Sequence, residues 1–542
     1  MLAYYAAQSN QEIEVGTSFR QSMAWLHTWT GLVVGWILYF MFVTGTIGYF
    51  YVEVDRWMRP ELPLAFAGLS QRHALDISDT YLRREATRAD LWVIKLPEPR
   101  SPTLWVEWRT GDGERVRREY DPTADRFRDV AELPKARATG GGFALYRMHW
   151  KLHYMPGDIA VRIIGICTMI MLVALLTGVV AHKKLFAEFF TFRPRKAARS
   201  WLDMHNLVSV TALPFFLMIT ISGLLFYPAA YVPGAALMRY SGELQQLETD
   251  FFPPLPSTPR ANRAAPLLPL GASLGEADRL WGKGATSALV VRFPGDAAST
   301  IELAHSGAST LLRSAGEALS FDGVNGQLTQ RFTALESAPR AITSVFYGLH
   351  EGIFADWALR WLYFLSGVLG CGMIGTGLVL WTVKRRSKHH NTENSVAGLR
   401  IVECLNVGTI VGLPVGVAAY FWANRLLPVE MAGRGAWEMH SLFLTWGVML
   451  LWAAIRPVKK AWIEELSLAA IAFGTLPVLN ALTTNRHLGV TLPAGDWGLV
   501  GFDLTMLATG ALFGLAAVIV GRRTGPPGAA FRPVRSIIGT MP

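Results

Sequence analysis

Apolar residues in this chain gather into long runs instead of alternating with polar ones. Eight runs stand out, at about 25–50, 159–182, 204–228, 357–383, 399–424, 437–456, 463–484 and 498–521. An apolar stretch of roughly 18 residues or more is long enough to cross a bilayer as a helix. The pattern therefore predicts a polytopic helical bundle of about eight spans. The last two are short or weakly bounded, which leaves seven or nine open.

Two long segments break this regime. Residues 52–150 and 232–348 carry strand-like alternation: "LWVIKLPEP" and "TLWVEWRT" in the first, "ALVVRFPG" and "TIELAHSG" in the second. Each then has an aromatic-Asp turn, Tyr120-Asp121-Pro122 and Phe321-Asp322-Gly323. Pro and Gly suit tight turns between strands. Two small α+β domains related by duplication are expected.

The spans repeat too. His27 opens the first and is followed by Thr44-Gly45 and Tyr49; His205 opens the third and is followed by Ser222-Gly223 and Tyr227. The second carries Asp158, Arg162, Thr177-Gly178 and Lys183-Lys184, and the fourth Asp356, Arg360, Thr376-Gly377 and Lys384-Arg385-Arg386. The unit is helix–domain–helix. Two copies in the same orientation imply a pseudo-twofold axis along the membrane normal. The segment after about 395 has no counterpart and reads as an added four-helix bundle.

Charge orients the bundle. The 542 residues carry a net charge of +10, which by itself could suggest nucleic acid. The basic residues instead flank span ends: Lys183, Lys184, Arg193, Arg195, Lys196 and Arg199, then Lys384, Arg385, Arg386 and Lys388, then Arg456, Lys459 and Lys460, then Arg522 and Arg523. This is the positive-inside pattern. It places both termini in the cytoplasm and the two domains outside. The first run is too long for a signal-peptide core and reads as a retained anchor.

The expected division is 1–24 cytoplasmic, 25–51 span, 52–150 outside domain, 151–183 span, 184–203 basic loop and 204–231 span. It continues with 232–348 outside domain, 349–384 span, 385–398 loop, 399–521 the added bundle and 522–542 tail.

The chemistry rests on histidines. His27, His205 and His182 lie at the cytoplasmic ends of spans, and His149, His153 and His350 at the outer ends. Ionisable residues inside a bilayer point to function when they face the bundle. His153 and His182 are 29 residues apart, roughly 43 Å of helix, so one metal group cannot use both. Two sites can, one near each face. Histidine is a usual axial ligand of haem iron, and two neutral imidazoles make a centre suited to electron transfer. The repeat argues for His27 with His205 and for His153 with His350. His149, one turn before His153, and His182 compete for these places.

Gly45, Gly48 and Gly223 could let a flat macrocycle approach the backbone, although plain helix packing explains them as well. Asp158/Arg162 and Asp356/Arg360 read either as helix ion pairs or as arginines that hold haem propionates or an anionic substrate. His389-His390 suit a solvated loop, His73 and His305 a domain surface, and His440 and His487 the outer ends of the added bundle. Cys167, Cys371 and Cys404 form no CxxC or CxxCH, which excludes a disulfide framework and covalent c-type haem. No Walker loop and no GxGxxG after a strand occurs, so a reductant comes from a separate protein or from quinol.

"MAWLHTWTGLVVGWILYFMFVTGTIGYF", "LHEGIFADWALRWLYFLSGVLGCGMIGTGLVLWTVKRR" and the DPTADR turn resemble the PepSY-associated transmembrane family over about residues 20–390. The family includes iron-regulated inner-membrane proteins and siderophore-iron reductases. The resemblance implies a four-helix core, PepSY-like periplasmic domains and b-type haem, two groups here. By motif position His27, His205 and His350 are its first ligand candidates, then His153, His149 and His182. It implies reduction of a ferric siderophore in the periplasm, fed by a cytoplasmic donor or quinol. A homodimer is compatible with it. A siderophore or metal permease and a non-catalytic PepSY-type sensor or inhibitor are the competing readings. The tail after about 395 departs from the short family members.

Overall fold

A computed structural model describes the chain except residues 1, 63–68, 123, 130, 131, 133–135, 183–192, 194–197, 240–258, 313–316, 334, 336, 389–393 and 523–542. The side chains of 2–17, 235, 236, 239, 387, 388 and 394–397 are likewise not described. The expectations for Lys183, Lys184, Arg195, Lys196, His389, His390 and Arg523 lie outside the described residues.

The first unit runs α1 (Leu2–Gly48), α2 (Tyr51–Trp57), α3 (Gln71–Glu85), β1 (Ala89–Lys95), β2 (Trp105–Thr110), β3 (Arg115–Asp121), β4 (Arg126–Asp129), α4 (Gly141–Met148) and α5 (Gly157–Ala181). The second runs α6 (Ala198–Thr211), α7 (Leu213–Leu224), α8 (Leu270–Trp281), β5 (Thr286–Arg292), β6 (Thr300–His305), β7 (Ala318–Asp322), β8 (Leu328–Phe332), α9 (Ala338–Glu351) and α10 (Trp357–Lys388). The extension is α11 (Asn394–Ile410), α12 (Gly412–Leu426), α13 (Arg434–Ile455), α14 (Val458–Gly474), α15 (Leu476–Thr483) and α16 (Trp497–Arg522). Short helices Pro228–Tyr231, Pro233–Arg239 and Leu488–Thr491 lie between them.

Among the described residues seven helices are long and apolar enough to cross a membrane, and α6 with α7 makes an eighth, bent by 65°. Pro214 sits at the start of α7. Its missing N–H and its ring account for the break. The matching first span, α1, is unbroken, so the two halves of the core carry no matched pair of discontinuous helices.

The segments expected to form two separate domains each carry a helix and four strands, and they join. Their strands form one eight-stranded sheet in the order β4-β3-β2-β1-β5-β6-β7-β8. β1 and β5 pair antiparallel with Val93 opposite Val290. These two valines hold the same place in strands of identical burial pattern, so the duplication axis passes between them. Leu75 and Leu82 of α3 and Leu270 and Leu274 of α8 share one core with Ile94, Val106, Leu289 and Phe321 of the strands.

The extension is tied to the core at two levels. Within the bundle, Trp36 donates to Asn406 at 3.0 Å, and Asn406 donates to the Leu378 carbonyl at 3.1 Å. Pro414 has no N–H for the carbonyl of Ile410 four residues earlier; Tyr39 donates its phenol to that carbonyl at 2.9 Å. Towards the sheet, the Arg425 guanidinium lies 3.6 Å over the Trp57 ring, and Trp57 donates to Asp503 at 3.0 Å. Arg434 and Glu438 form an ion pair there, and both side chains are fully buried.

Candidate functional site

Four histidines form two facing pairs in the core. The rings of His27 on α1 and His205 on α6 have centroids 6.3 Å apart. The rings of His149, which caps α4, and His350 on α9 have centroids 6.0 Å apart. The first pair lies towards the basic end of the bundle and the second towards the sheet. His27 and Gly45, which contacts His149, are 18 residues apart on α1, about 27 Å of helix.

Each ring rests on a glycine of a partner helix. A Cβ built on Gly178 would lie 2.9 Å from His27, and on Gly377 3.1 Å from His205. On Gly45 it would lie 2.6 Å from His149, and on Gly223 3.0 Å from His350. At Gly45 and Gly178 this is closer than a Cβ can sit, and at Gly223 and Gly377 the ring would have to give way by a few tenths of an ångström. The repeated Thr/Ser-Gly dipeptides are therefore imidazole seats, and Gly48 likewise accommodates the Tyr146 ring, at 2.8 Å.

The hydrogen bonds fix the tautomers. His27 donates from Nδ1 to the Ala174 carbonyl at 2.8 Å, His205 to the Met373 carbonyl at 3.0 Å, and His149 to the Met41 carbonyl at 2.7 Å. A carbonyl only accepts, so in each ring the proton is on Nδ1. The Nδ1 of His350 lies 2.9 Å from Ser222 Oγ. That hydroxyl gives its own hydrogen to the Met218 carbonyl at 2.6 Å, so His350 donates as well. All four Nε2 atoms then carry a lone pair. Metal-binding histidines are oriented in this way by their second nitrogen.

These residues fit haem. With a metal–imidazole bond of about 2 Å, rings bound to opposite faces of one iron have centroids about 6 Å apart. Both pairs have that separation. The surroundings are apolar, with Val34, Leu38, Met41, Met171, Leu175 and Phe216 buried together between the two levels. One turn past His205 the hydroxyl of Ser209 is buried without a partner among the described residues, and a Cβ on Gly31, one turn past His27, would meet nothing within 4 Å.

The structure redistributes the other candidates. His153 is not opposite His350. It lies in the connection between α4 and α5, stacked at 5.5 Å on Phe443 of the extension. Spacing to Asp158 and Asp356 had suggested His153; α4 ends at Met148 and turns His149 inward instead. His182 caps α5 beside the basic-side pair but belongs to neither facing pair. Arg162 is exposed, whereas Arg360 is buried with its Nε unpartnered among the described residues. The expected Asp356–Arg360 ion pair does not form. Asp356 caps its helix by accepting from the Leu359 N–H at 2.8 Å, and Arg360 lies 3.7 Å from Glu53. His305, expected at a surface, has a side chain only 8% exposed and hydrogen-bonds Glu317. His440 meets the Tyr154 hydroxyl at 2.5 Å, and His487 accepts from the Gly489 N–H at 3.2 Å.

Sequence reasoning missed that Gly178 and Gly377 are seats and that His149 outranks His153. A signal was present: four Thr/Ser-Gly dipeptides call for four histidines.

The chain is similar to an uncharacterized protein of Pseudomonas aeruginosa, 25% identical over 392 residues, which cover 69% of this chain and 93% of the relative. The family model described as PepSY-associated TM region matches residues 24–384. These limits take in both histidine pairs and the whole sheet and stop before the extension. The chain is a multi-pass membrane protein that belongs to the PepSY-associated TM region family.

Proposed function

We propose that this protein is a haem b-containing reductase of the bacterial inner membrane, which carries electrons from the cytoplasmic side to a ferric siderophore in the periplasm. The observation that carries this reading is the pair of histidine pairs, one near each end of the bundle, with the ring separation of bis-imidazole iron sites. His27 and His205 would hold one group, and His149 and His350 the other. Bound there, haem b supplies reversible one-electron chemistry.

The chain's own residues do the rest. The Nδ1 bonds lock each imidazole with Nε2 free and raise its basicity as a ligand. The glycines let the rings lie against the helices without strain. Buried aliphatic side chains exclude water between the two levels. With no nicotinamide or flavin motif in the sequence, the donor is a cytoplasmic electron-transfer partner or quinol. On the sheet side the substrate Fe(III) takes up one electron and becomes Fe(II). A softer, less charged ion binds hard oxygen donors more weakly, so the siderophore releases it.

A reduced-minus-oxidised absorbance spectrum of the purified protein tests the reading. A sharp b-type α band, reoxidised on addition of a ferric siderophore, supports it. Protein that is free of haem, or whose reduced band is unaffected by ferric siderophores, refutes it.

A further inference from the structure

The four glycine seats share a second feature. One turn beyond each glycine stands an aromatic ring with a polar tip: Tyr49 after Gly45, His182 after Gly178, Tyr227 after Gly223 and Trp381 after Gly377. Gly377 and Trp381 share one face of α10, while Tyr49, His182 and Tyr227 stand just past the ends of α1, α5 and α7. α1 and α7 run towards the sheet, and α5 and α10 run away from it. Each ring therefore lies on the aqueous side of its own histidine pair, two per pair. Plain interfacial placement would ask for aromatic rings, but not for the same four-residue spacing after all four glycines.

Trp381 gives the independent observation. Its Nε1 is buried and has no hydrogen-bond partner among the described residues. Buried donors without acceptors are rare in folded proteins and call for an explanation. The Arg385 guanidinium lies 4.0 Å over the Trp381 ring and 5.0 Å from the Trp29 ring, so a cation stands beside that donor. On the sheet side Arg100 donates to the Tyr49 backbone carbonyl at 3.0 Å, pairs with Glu53 and lies 5.8 Å over the Tyr51 ring.

We infer that these rings are carboxylate seats: His182 and Trp381 hold the propionates of the group on His27 and His205, and Tyr49 and Tyr227 those of the group on His149 and His350. This rests on the haem reading above and adds the orientation of each group, with its carboxylates directed to the nearer aqueous face. Ring N–H and phenol O–H donors suit a carboxylate acceptor.

The test uses the full-length haem-loaded protein and potentiometric titration, which resolves two midpoint potentials. Trp381→Phe keeps the ring and removes the N–H. A carboxylate that loses a donor leaves more negative charge beside the iron and favours Fe(III). One of the two potentials should fall, and the resonance Raman propionate-bending band should move with it. Tyr49→Phe should lower the other potential. Trp381→His restores a ring N–H, as the repeat has at His182, and should return the first potential towards the wild-type value. Tyr363→Phe, a neighbouring tyrosine outside the pattern, should move neither. Variants that bind two haems with unmoved potentials overturn this inference and leave the parent reading intact. A wild-type protein without haem overturns both.

Discussion

His149 donates from Nδ1 to the backbone carbonyl of Met41 at 2.7 Å. The bond joins the cap of α4 to the last turns of α1 and turns the imidazole towards His350, 6.0 Å away between ring centroids. Among the described residues His153 has no such anchor and stacks on Phe443 instead. If the protein holds two haems as proposed, His149→Ala and His350→Ala should each remove one of them. His153→Ala should keep both. Pyridine haemochrome stoichiometry on purified variants decides between the two assignments, and loss of a haem only in the His153 variant would reverse the one made above.

The glycine seats carry a steric prediction. A methyl on Gly45 would lie 2.6 Å from the His149 Nδ1, inside any allowed contact. The obstacle is a ring held by its own hydrogen bond, so it cannot simply swing away. Gly45→Ala should lower haem content at the sheet-side site and leave the other site loaded. Gly447→Ala, where a Cβ meets nothing within 4 Å, should bind haem as the wild type does. Equal haem content in the two variants would show that Gly45 is not a seat.

Much of this was legible in the sequence because membrane helices and duplications write regular patterns. The eight apolar runs, the helix–domain–helix repeat and His27 with His205 follow from spacing alone. The choice between His149 and His153 did not. It depends on where α4 stops, and the local spacing to Asp158 and Asp356 pointed the wrong way. The joining of β1 to β5 was also hidden, since a strand's sequence does not say which partner covers its edge. The Arg434–Glu438 pair was invisible for another reason: charges at span ends look like solvated ones until a neighbouring helix buries them.

That pair sets a stability prediction. Arg434 and Glu438 are both fully buried, and Asn424 also donates to Glu438 at 2.8 Å. Removing one charge strands the other. Glu438→Gln should destabilise the extension by roughly 3–5 kcal/mol. Replacing both, as Arg434→Met with Glu438→Leu, should recover most of that loss. Thermal melts in detergent compare the three proteins, and a double variant no more stable than the single one would assign the loss to packing.

Tyr39 offers a sharper cycle. Its hydroxyl serves the carbonyl that Pro414 leaves open at Ile410. Tyr39→Phe should cost about 1–3 kcal/mol, the range for a buried acceptor left unpaired. Pro414→Ala supplies a backbone N–H in the same place. The double variant should therefore lose less than the sum of the two single changes. Additive losses in the melts would mean that the phenol and the proline act on separate groups.

The sheet provides a dependence on pH. His305 donates from Nδ1 to Glu317 at 2.5 Å, and Thr333 donates to the other carboxylate oxygen at 3.1 Å. The His305 hydrogen bond, first among the causes, holds the Glu317 carboxyl below the usual glutamate value. A carboxyl whose pKa is depressed in the folded state stabilises the fold at pH values above its unfolded pKa, about 4.3 for glutamate. That contribution disappears as pH falls through the folded value, when the carboxylate takes up a proton. Acidification below about pH 4 should loosen the β6–β7 hairpin first, because His305 and Glu317 face each other where its two strands enter the connecting loop. Glu317→Gln cannot titrate, so its hairpin should be weaker at neutral pH and insensitive across the same acid window. Amide hydrogen exchange on residues 300–322 measures both. If wild type and Glu317→Gln lose protection in parallel as pH falls, the hairpin's acid sensitivity comes from another group.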